Sequence, residues 1–569
     1  MNSPRIAERP VPQSAYRALL AGGLHPVLAR VFAARGIDDA SRLELALDRM
    51  LPYQPLANCT EAAGLLASAI ESKERLLIVA DYDADGATAC ALAVSTLRAL
   101  GATVDYLVPN RFEYGYGLTP EIVELAASRT PDWLITVDNG IASVEGVAAA
   151  NHRGMRVLIT DHHLPGAQLP DAACIVNPNQ SGCGFPSKHL AGVGVMFYVL
   201  SALRACLRGR DWFATRSEPN LAEALDLVAL GTVADVVRLD DNNRMLVSQG
   251  LKRIRAGRVR PGIAALFTVA GRDCARASAY DLGFVAGPRL NAAGRLTDMS
   301  LGIECLLAQD AARAGELAAQ LDALNRERRE IEQDMQESAL AIAGKIEVGD
   351  RYSLSLFDAA WHPGVIGILA ARLRERFHRP VIAFAPGNDG EAKGSGRSIR
   401  GLHLRDALDL VAKREPGLIL RFGGHAAAAG LSVAQTDVAR FGEAFESVVK
   451  ELVGPADLEQ LIETDGALAP GEVSLPVADL LAAQVWGQGF PEPLFCNSFE
   501  VVDQRVVGGK HLKLRLSQPG SRQAIDAMRF GETASLSPRV QAVYRLQANE
   551  YNGARTPQLI IQWCKAERG

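Results

Sequence analysis

LLIVADYDADG, at residues 76–86, is a short apolar run that ends abruptly in the carboxylates of Asp81, Asp83 and Asp85. The apolar residues hardly alternate with polar ones, which is typical of a strand buried on both faces of a parallel sheet. Carboxylates packed this closely repel one another, and either protonation or a bound cation relieves the repulsion. The stretch therefore predicts a buried strand that ends at a cation site.

Three later apolar runs end in the same kinds of side chain. They contribute Asp138 (in LITVDNG), Asp161, His162 and His163 (in VLITDHH) and Asp235 (in LVALGTVADVV). Between residues 76 and 237 such runs alternate with helical stretches, which predicts an α/β domain with a doubly wound, mostly parallel sheet. Ligands of these sheets bind beyond the carboxyl ends of the strands, so we expect all of these side chains to converge there.

This set of acids and histidines suits a site for more than one divalent metal. Two ions about 3.5–4 Å apart can activate a water and stabilise the leaving oxygen of a phosphate ester. Carboxylate and imidazole ligands favour Mn²⁺ or Mg²⁺, and no cysteine joins the set. A calcium loop is excluded because Leu92 stands where its closing Glu should be and because a strand precedes the motif. We therefore expect a phosphate-handling hydrolase.

The composition indicates a protein with several domains. The chain has 569 residues, 48% of them apolar, and a net charge of −5 that does not by itself indicate a nucleic-acid partner. Its nine scattered cysteines form no CxxC pair, which favours reduced thiols in the cytoplasm. No apolar run approaches the roughly 20 residues that span a bilayer, so we expect no membrane partner. Phosphate-loop and GxSxG motifs are absent from the sequence, which argues against ATP-driven and serine-hydrolase chemistry.

The order of apolar patterns predicts five segments. An N-terminal lead-in (1–58) precedes the first α/β domain (59–308), and a long helix with few breakers (309–346) follows as a spacer. A second, smaller α/β domain occupies 347–453. Five short strands in 454–569 fit a small β-barrel of the oligonucleotide-binding type, although other five-stranded barrels have the same pattern.

Four ordered motifs, DYDADG, VDNG, DHH and VADVV, resemble those of the DHH phosphoesterase superfamily. WHPGVIG (361–367) and RFGGHAAAAG (421–430) resemble its associated DHHA1 domain. With PNRFEYGYGL (109–118), GPRLNAAGR (287–295) and the barrel, the resemblance narrows to the bacterial single-stranded-DNA exonucleases of this superfamily. It covers the chain from about residue 51 to the end. DHH alone is a weak signal, whereas the ordered set is specific.

The resemblance implies two divalent ions, Mn²⁺ or Mg²⁺, with Asp138 bridging them. Asp81 is expected in or beside the metal shell, Asp161 is expected to orient His162, and His163 is expected to face the scissile phosphate. All eight residues are therefore candidates for the catalytic set. The five implied metal ligands are Asp83, Asp85, Asp138, His162 and Asp235.

The activity that the resemblance implies is stepwise hydrolysis of single-stranded DNA from its 5′ end to 5′ mononucleotides, in DNA recombination and repair. Arginine forks match phosphate oxygens, and aromatic rings stack on bases. In KGSGRSIRG (393–401), glycines are expected to let backbone N–H groups approach an anion. A pocket for the terminal 5′ phosphate is expected from Arg111, Arg289 and Arg295, and a structural ion pair remains an alternative for each of the three. The candidate DNA contacts are Arg111, Tyr116, Arg289, Asn291, Arg295, Arg397, Ser398, Gly424 and His425.

Two other functions remain open. Relatives with both domains include phosphodiesterases of short oligonucleotides or cyclic dinucleotides, but the barrel and the NAAGR segment argue against so small a substrate. A non-catalytic DNA-binding scaffold is the alternative of a different class, and the presence of every implied ligand argues against it. The resemblance further implies a monomeric protein, with single-strand-binding protein and a recombination helicase as its expected partners.

Overall fold

The structure, a computed structural model, describes residues 4–110, 114, 117–343, 351–388, 390–521, 523–551 and 553–567. The chain divides into two compact units. The smaller unit comprises Met1–Ala7 and Ala323–Glu463, and the larger comprises Glu8–Asp322 and Thr464–Gly569. The first α/β domain and the barrel predicted from the sequence both lie in the larger unit. The five predicted segment boundaries stay predictions.

A five-stranded parallel sheet forms the centre of the larger unit. The chain reaches it through β1 (Arg5–Glu8), α1 (Gln13–Ala21), α2 (Pro26–Ala33) and α3 (Cys59–Glu71). The sheet strands are β2 (Arg75–Ala80), β3 (Thr103–Leu107), β4 (Trp133–Val137), β5 (Arg156–Thr160) and β6 (Cys174–Val176). Their order is β3-β2-β4-β5-β6, so the direction of winding reverses between β2 and β4. Ligands of doubly wound sheets bind at this kind of switch point.

Helices cover the sheet and explain why its inner strands β2, β4 and β5 are almost continuously apolar. They are α4 (Ala84–Ala99), α5 (Pro120–Ala127), α6 (Val144–His152), α7 (Gly192–Gly209), α8 (Leu225–Ala234), α9 (Asp241–Arg255), α10 (Pro261–Val269), α11 (Ala279–Asp281), α12 (Gly287–Leu296) and α13 (Ser300–Leu307). A π-helix, Leu282–Ala286, joins α11 to α12. Helix α4 is buried on nearly all sides, as expected of a central helix that is apolar all round. The predicted doubly wound parallel domain is confirmed.

The predicted spacer helix is α14 (Ala311–Ala343). The smaller unit then adds β7 (Leu354–Phe357), α15 (Ile366–Phe377), β8 (Val381–Pro386), β9 (Glu391–Arg397), α16 (Leu404–Arg414), β10 (Arg421–Gly424), β11 (Ala428–Ala434), α17 (Val438–Leu452) and β12 (Leu461–Thr464). Its sheet has the order β10-β11-β9-β8-β7, and β12 pairs with β1. Only the pairing of β7 with β8 is parallel among those described. This is the second, smaller α/β domain that the sequence predicts.

The C-terminal strands close into a barrel. Helix α18 (Leu475–Ala482) precedes β13 (Phe495–Val507), β14 (His511–Ser517), β15 (Ala524–Arg529), β16 (Arg539–Tyr551) and β17 (Ala554–Ala566). The barrel order is β13-β14-β15-β17-β16. In β14, the inward side chains Leu512, Leu514 and Leu516 alternate with more exposed ones, which is the period expected of a barrel strand. The five predicted strands are confirmed.

Two local expectations are wrong. Asp235 does not follow a strand, because its apolar run forms helix α8 and Asp235 is the residue that ends it. The N–H groups of Gly394 and Gly396 in KGSGRSIRG are not open to an anion, because β9 lies between β8 and β11 and pairs with both. A Cβ at Gly394 would lie 2.6 Å from the Phe384 ring, and one at Gly396 would lie 2.6 Å from Ile382 Cδ1. These glycines therefore serve close packing within the sheet.

Helix α7 is the one helix in the described part of the chain whose length and apolar composition would allow it to cross a membrane. However, 67% of this helix is buried inside the protein. The core helices of globular proteins meet the same two criteria, so the finding is weak evidence for a membrane span.

Candidate metal centre and active site

Asp81, Asp138 and Asp161 lie side by side at one edge of the large sheet because each directly follows a strand. The N–H of Asp81 donates to the carbonyl of Val137 at 3.3 Å, and the N–H of Asp138 donates to the carbonyl of Thr160 at 3.0 Å. The hydrogen-bonding ladder thus continues through the acids themselves. This fixes their backbones in one row at the winding switch point.

The backbone at Asp138 is held in an unusual conformation. Its φ is +63°, in the left-handed region that residues with a Cβ seldom adopt. The Asn139 amide donates to the carbonyls of Val79 and Val137 at 3.1 and 2.9 Å and fixes the turn. Helix α7 approaches so closely that a Cβ at Gly192 would lie 2.6 Å from Asp138 Cβ. The turn and the close approach of α7 therefore fix the Asp138 carboxyl group at the centre of the site.

Asp85 is fully buried, and the start of α7 binds its carboxylate. Gly192 N–H donates to Oδ2 at 2.5 Å, and Val193 N–H donates to Oδ1 at 2.9 Å. A helix N-terminus favours an anion. Burial, followed by the charge of Asp83, nevertheless raises the pKa of Asp85 to about 7. The α7 amides orient this carboxyl group without fully offsetting the cost of its charge.

His162 lies between the acids at the strand ends and two acids carried by helices, Asp85 and Asp235. Its Nε2 lies 3.0 Å from Asp138 Oδ1, 3.4 Å from Asp235 Oδ2 and 4.0 Å from Asp85 Oδ2. Asp235 reaches this point from the end of α8. Convergence of the sequence motifs is thus observed even though one of them lies on a helix.

The carboxylate and imidazole groups of this cluster suit divalent metal ions. Ligand atoms lying within 4.8 Å of one another form three groups: Asp81, Asp83 and Asp138; Asp85, His162 and Asp235; and Asp138, His162 and His163. Asp138 and His162 each belong to two of these groups and so connect all three. Burial, followed by the charge of Asp85, raises the pKa values of Asp138 and Asp235 well above the usual range. Positive charge at this position would relieve that repulsion, and oxygen ligands with imidazole suit Mn²⁺ or Mg²⁺.

Asp161 and His163 form a separate ion pair beside these groups. Asp161 Oδ1 lies 2.8 Å from His163 Nδ1 and also accepts the N–H groups of His162 and His163 at 2.7 and 3.1 Å. Burial disfavours charge on both side chains. The hydrogen bond and the neighbouring charges together outweigh burial, lowering the pKa of Asp161 and raising that of His163 to about 9. The ring contact of Asp161 is thus with His163, whereas its predicted partner His162 is held through the backbone.

Comparison with known proteins identifies the family. Family models match at residues 75–232 (DHH family, N-terminal domain), 349–451 (DHHA1 domain) and 464–563 (RecJ OB domain). The single-stranded-DNA-specific exonuclease RecJ of Dickeya dadantii is 51% identical over 555 residues, which are 95% of this chain and 96% of that one. This chain belongs to the RecJ family. RecJ of Escherichia coli is also 51% identical, over 95% of each chain.

Solved RecJ structures agree with this fold. RecJ from Thermus thermophilus in complex with Mn²⁺ superposes with a TM-score of 0.82 and 30% identity, over 99% of this chain and 80% of that one. Its complex with Mg²⁺ gives a TM-score of 0.76 at 29% identity, over 99% and 78% of the two chains. RecJ structures thus bind both metals that the sequence predicted, and this chain has acids and histidines positioned to hold a metal.

Two asparagines that the sequence interpretation missed hold the DHH tripeptide of this RecJ-family chain. The side-chain amide of Asn177 donates to the carbonyl of His163 at 2.9 Å, and that of Asn179 donates to the carbonyl of His162 at 2.6 Å. They lie in the segment NPNQ directly after β6. Polar residues after a strand at this same edge are the signal that could have identified them.

The NAAGR segment of α12 supports the first acid loop. The N–H of Ala84 donates to Asn291 Oδ1 at 2.8 Å, and a Cβ at Gly294 would lie 1.9 Å from the carbonyl oxygen of Tyr82. Asn291, a candidate DNA contact, is therefore bound to the backbone beside Asp83 and Asp85. Arg295 lies partly buried in the last turn of the same helix.

Arg289, a candidate for the 5′-phosphate pocket, is 7% exposed and engaged within the larger unit. Its Nη2 lies 2.8 Å from Asp322 Oδ1, and its Nη1 donates to the carbonyl of Val285 at 2.7 Å. This geometry favours the structural ion pair that the sequence left open. The other two candidates in this unit, Arg111 and Tyr116, lie outside the described residues.

The smaller unit brings its four candidates to one end of its sheet. His425 is exposed at the hairpin between β10 and β11, and Gly424 beside it has a φ of +139°. Arg397 Nη1 donates to the carbonyl of Gly396 at 2.8 Å, and burial lowers the pKa of Arg397. The Ser398 hydroxyl donates to the carbonyl of Leu402 at 2.8 Å. Their DNA-contacting roles stay predictions.

Proposed function

We propose that this protein is a metal-dependent exonuclease that degrades single-stranded DNA from the 5′ end to 5′ mononucleotides, acting in recombination and repair. The observation that carries the proposal is the cluster of carboxylates and imidazoles around Asp138 in a chain of the RecJ family. The names of the relatives supply the single-stranded DNA substrate and the exonuclease activity. The 5′-to-3′ direction rests on the resemblance described above.

Two divalent ions, Mn²⁺ or Mg²⁺, are proposed to bind at this cluster. Asp83 and Asp81 would hold one ion, Asp85, His162 and Asp235 the other, and Asp138 would contact both. Bound ions supply the Lewis acidity that activates a water and neutralises charge on the leaving oxygen. The chain's own part is to keep the ligands in place. The α7 amides orient Asp85, and the turn fixed by Asn139 orients Asp138.

His163 is proposed to stabilise charge on the scissile phosphate. Despite burial, the hydrogen bond and the charge of Asp161 raise the pKa of His163, which favours a protonated ring with its Nδ1–H directed at Asp161. A protonated ring also carries an Nε2–H, which can donate to a non-bridging phosphate oxygen as negative charge develops there. Asp161 serves this step as a positioning residue.

The wider setting is proposed from what accompanies the metal centre. The barrel in the same unit as the cluster supports a long single strand as substrate over a dinucleotide. A cytoplasmic location is supported by the nine cysteines, all of which are unpaired thiols. A monomeric state and contacts with single-strand-binding protein and a recombination helicase follow from the resemblance alone.

Digestion of matched substrates tests this function. Purified protein with Mn²⁺ should degrade a long single strand much faster than the same sequence as a duplex, and chelation by EDTA should stop the reaction. A preference for dinucleotides would instead indicate a short-oligonucleotide phosphodiesterase. Single-strand binding with no metal-dependent hydrolysis would indicate a scaffold.

A further inference from the structure

Two aromatic side chains stand out on the surface of the larger unit. Tyr280 and Phe284 are 50% and 65% exposed. Their rings stack on each other, with centroids 4.9 Å apart and planes inclined by 21°. Large aromatic rings are normally buried, and a stacked, exposed pair offers a flat apolar surface to a ligand. Phe284 lies in the π-helix Leu282–Ala286, a conformation often found at functional sites.

The backbone that carries Phe284 packs beside the helix that leads into the metal centre. A Cβ at Gly283 would lie 3.0 Å from Val233 Cγ1, and one at Gly287 would lie 3.1 Å from Ala234 Cβ. The glycines on both sides of Phe284 thus pack against the last turn of α8, which ends at Asp235. The segment that carries Phe284 therefore packs against the two residues that directly precede Asp235.

A further apolar side chain lies next to Asp235. Val236 is 63% exposed and has a φ of +61°, which is rare for a β-branched residue. Its backbone conformation is the kind of local strain that clusters at functional sites. Exposed apolar surface is therefore present both at the metal centre and on the helix packed beside it.

The charge around the ring pair favours a polyanion. Residues 251–295 contain nine Lys and Arg side chains and two Asp, a net charge of +7, within a chain whose net charge is −5. Part of this charge is paired with acids outside the segment, in the contacts of Arg260 with Asp226, Arg276 with Glu550 and Arg289 with Asp322. A surface with stacked aromatic rings in a basic segment is typical of single-stranded nucleic acid binding.

We propose that Tyr280 and Phe284 form a base-stacking platform for unpaired nucleobases of the strand whose phosphate occupies the metal centre. The inference rests on the proposed exonuclease function and assigns part of its substrate specificity to these two rings. In a duplex, the faces of the bases are covered by their neighbours, so the platform accepts single strands only.

The test measures kcat and KM of the full-length protein with Mn²⁺ and a single-stranded oligonucleotide. Phe284→Leu and Tyr280→Leu keep an apolar side chain and remove the ring, whereas Phe284→Tyr retains it. Leu125→Ala is the control, because Leu125 is a 38% exposed apolar residue near the end of α5 in the same unit. Each protein is also tested on a strand with abasic sites in its first five nucleotides.

Ring removal should raise KM about 5- to 100-fold, the range that corresponds to stacking on one base, with kcat changed less than about 2-fold. Phe284→Tyr and Leu125→Ala should behave as the wild type. Abasic sites should raise KM for the wild type but add little in the ring-removed variants. An unchanged KM after ring removal would overturn the platform. So would an effect of abasic sites on KM that is as large in the ring-removed variants as in the wild type. A wild type without hydrolysis would instead refute the proposed function.

Discussion

At the scale of single residues, the site depends on Asp138. Its carboxyl group lies 3.0 Å from His162 Nε2. With the carboxyl groups of Asp81 and Asp83 it forms one group of oxygen atoms that are close enough together to hold a metal ion. Burial and neighbouring acids raise its pKa, so the protein without metal keeps a costly carboxyl group in this place. Such a position is understandable when bound cations offset the repulsion.

Replacing Asp138 by Asn should abolish hydrolysis while the fold is retained. The amide is nearly isosteric but lacks the charge that bridges two cations, so we expect kcat to fall about 100-fold or more. Asp171→Asn, at an exposed acid of the same unit, should have little effect. Persistent activity of the Asp138 variant, measured with Mn²⁺ on a labelled single strand, would contradict the metal assignment.

Metal should stabilise the protein more at pH 8 than at pH 5. The folded-state pKa of Asp85 is raised from 3.8 to about 7, and those of Asp138 and Asp235 are raised as well. A raised folded-state pKa contributes stability below the unfolded value, and this contribution is lost as the pH rises through the folded value. Without metal, these groups therefore destabilise the fold progressively as the pH rises from about 4 to about 8.

Thermal unfolding with EDTA and with Mn²⁺ measures this effect. The gain in Tm from Mn²⁺ should increase by several degrees from pH 5 to pH 8, and Asp138→Asn should reduce the increase. Equal gains at both pH values would show that the raised pKa values do not belong to the metal-binding groups.

Arg289→Ala should weaken the fold more than it weakens recognition of a 5′ phosphate. Removal of one partner would leave the half-buried Asp322 without its guanidinium, at a cost of up to about 3 kcal/mol. The double variant Arg289→Met, Asp322→Leu should recover part of the lost stability. A normal Tm together with a lost preference for 5′-phosphorylated strands would restore Arg289 to the phosphate pocket.

At the scale of elements, the N-terminus of α7 organises the centre. Gly192 donates its N–H to Asp85 and leaves no room for a Cβ beside Asp138. The N-terminus of α7 thus positions two carboxyl groups of the cluster, those of Asp85 and Asp138. A glycine is required at this point by the close approach of the helix to the strand end.

Gly192→Ala should therefore lower activity strongly, whereas Gly209→Ala should not. An added Cβ at Gly192 would lie 2.6 Å from Asp138 Cβ, while one at Gly209, at the other end of the same helix, meets nothing within 4 Å. We expect a loss of kcat of about 10-fold or more at Gly192, since displacing a reacting group by about 1 Å can cost 100-fold. Equal activities in a steady-state assay would show that Asp138 can move without cost.

Strands β2, β4 and β5 were predictable because buried parallel strands are continuously apolar and their acids begin where the pattern stops. The position of Asp235 was not, because α8 is buried on nearly every side and therefore lacks a helical period. The support of Asp85 by Gly192 and Val193 was also hidden. It joins residues more than 100 positions apart, and no local pattern in the sequence indicates such a contact.

At the scale of the whole molecule, the larger unit combines the metal centre with the barrel. The N–H of Leu239, four residues after Asp235, donates to the carbonyl of Gln488 at 2.7 Å. Arg276, near the ring pair, forms an ion pair with Glu550 of β16. Segments on both sides of α9 are thus tied to the C-terminal region. These contacts hold the C-terminal region beside the domain that carries the metal centre.

End-labelled digestion tests the central claim most directly. A single strand labelled at either its 5′ or its 3′ end is incubated with protein and Mn²⁺, and the products are separated by length over time. We predict that the 5′ label appears first as a mononucleotide, while strands with the 3′ label shorten step by step. Release of the 3′ label first, internal cleavage, or the same products in EDTA would contradict a metal-dependent 5′-to-3′ exonuclease.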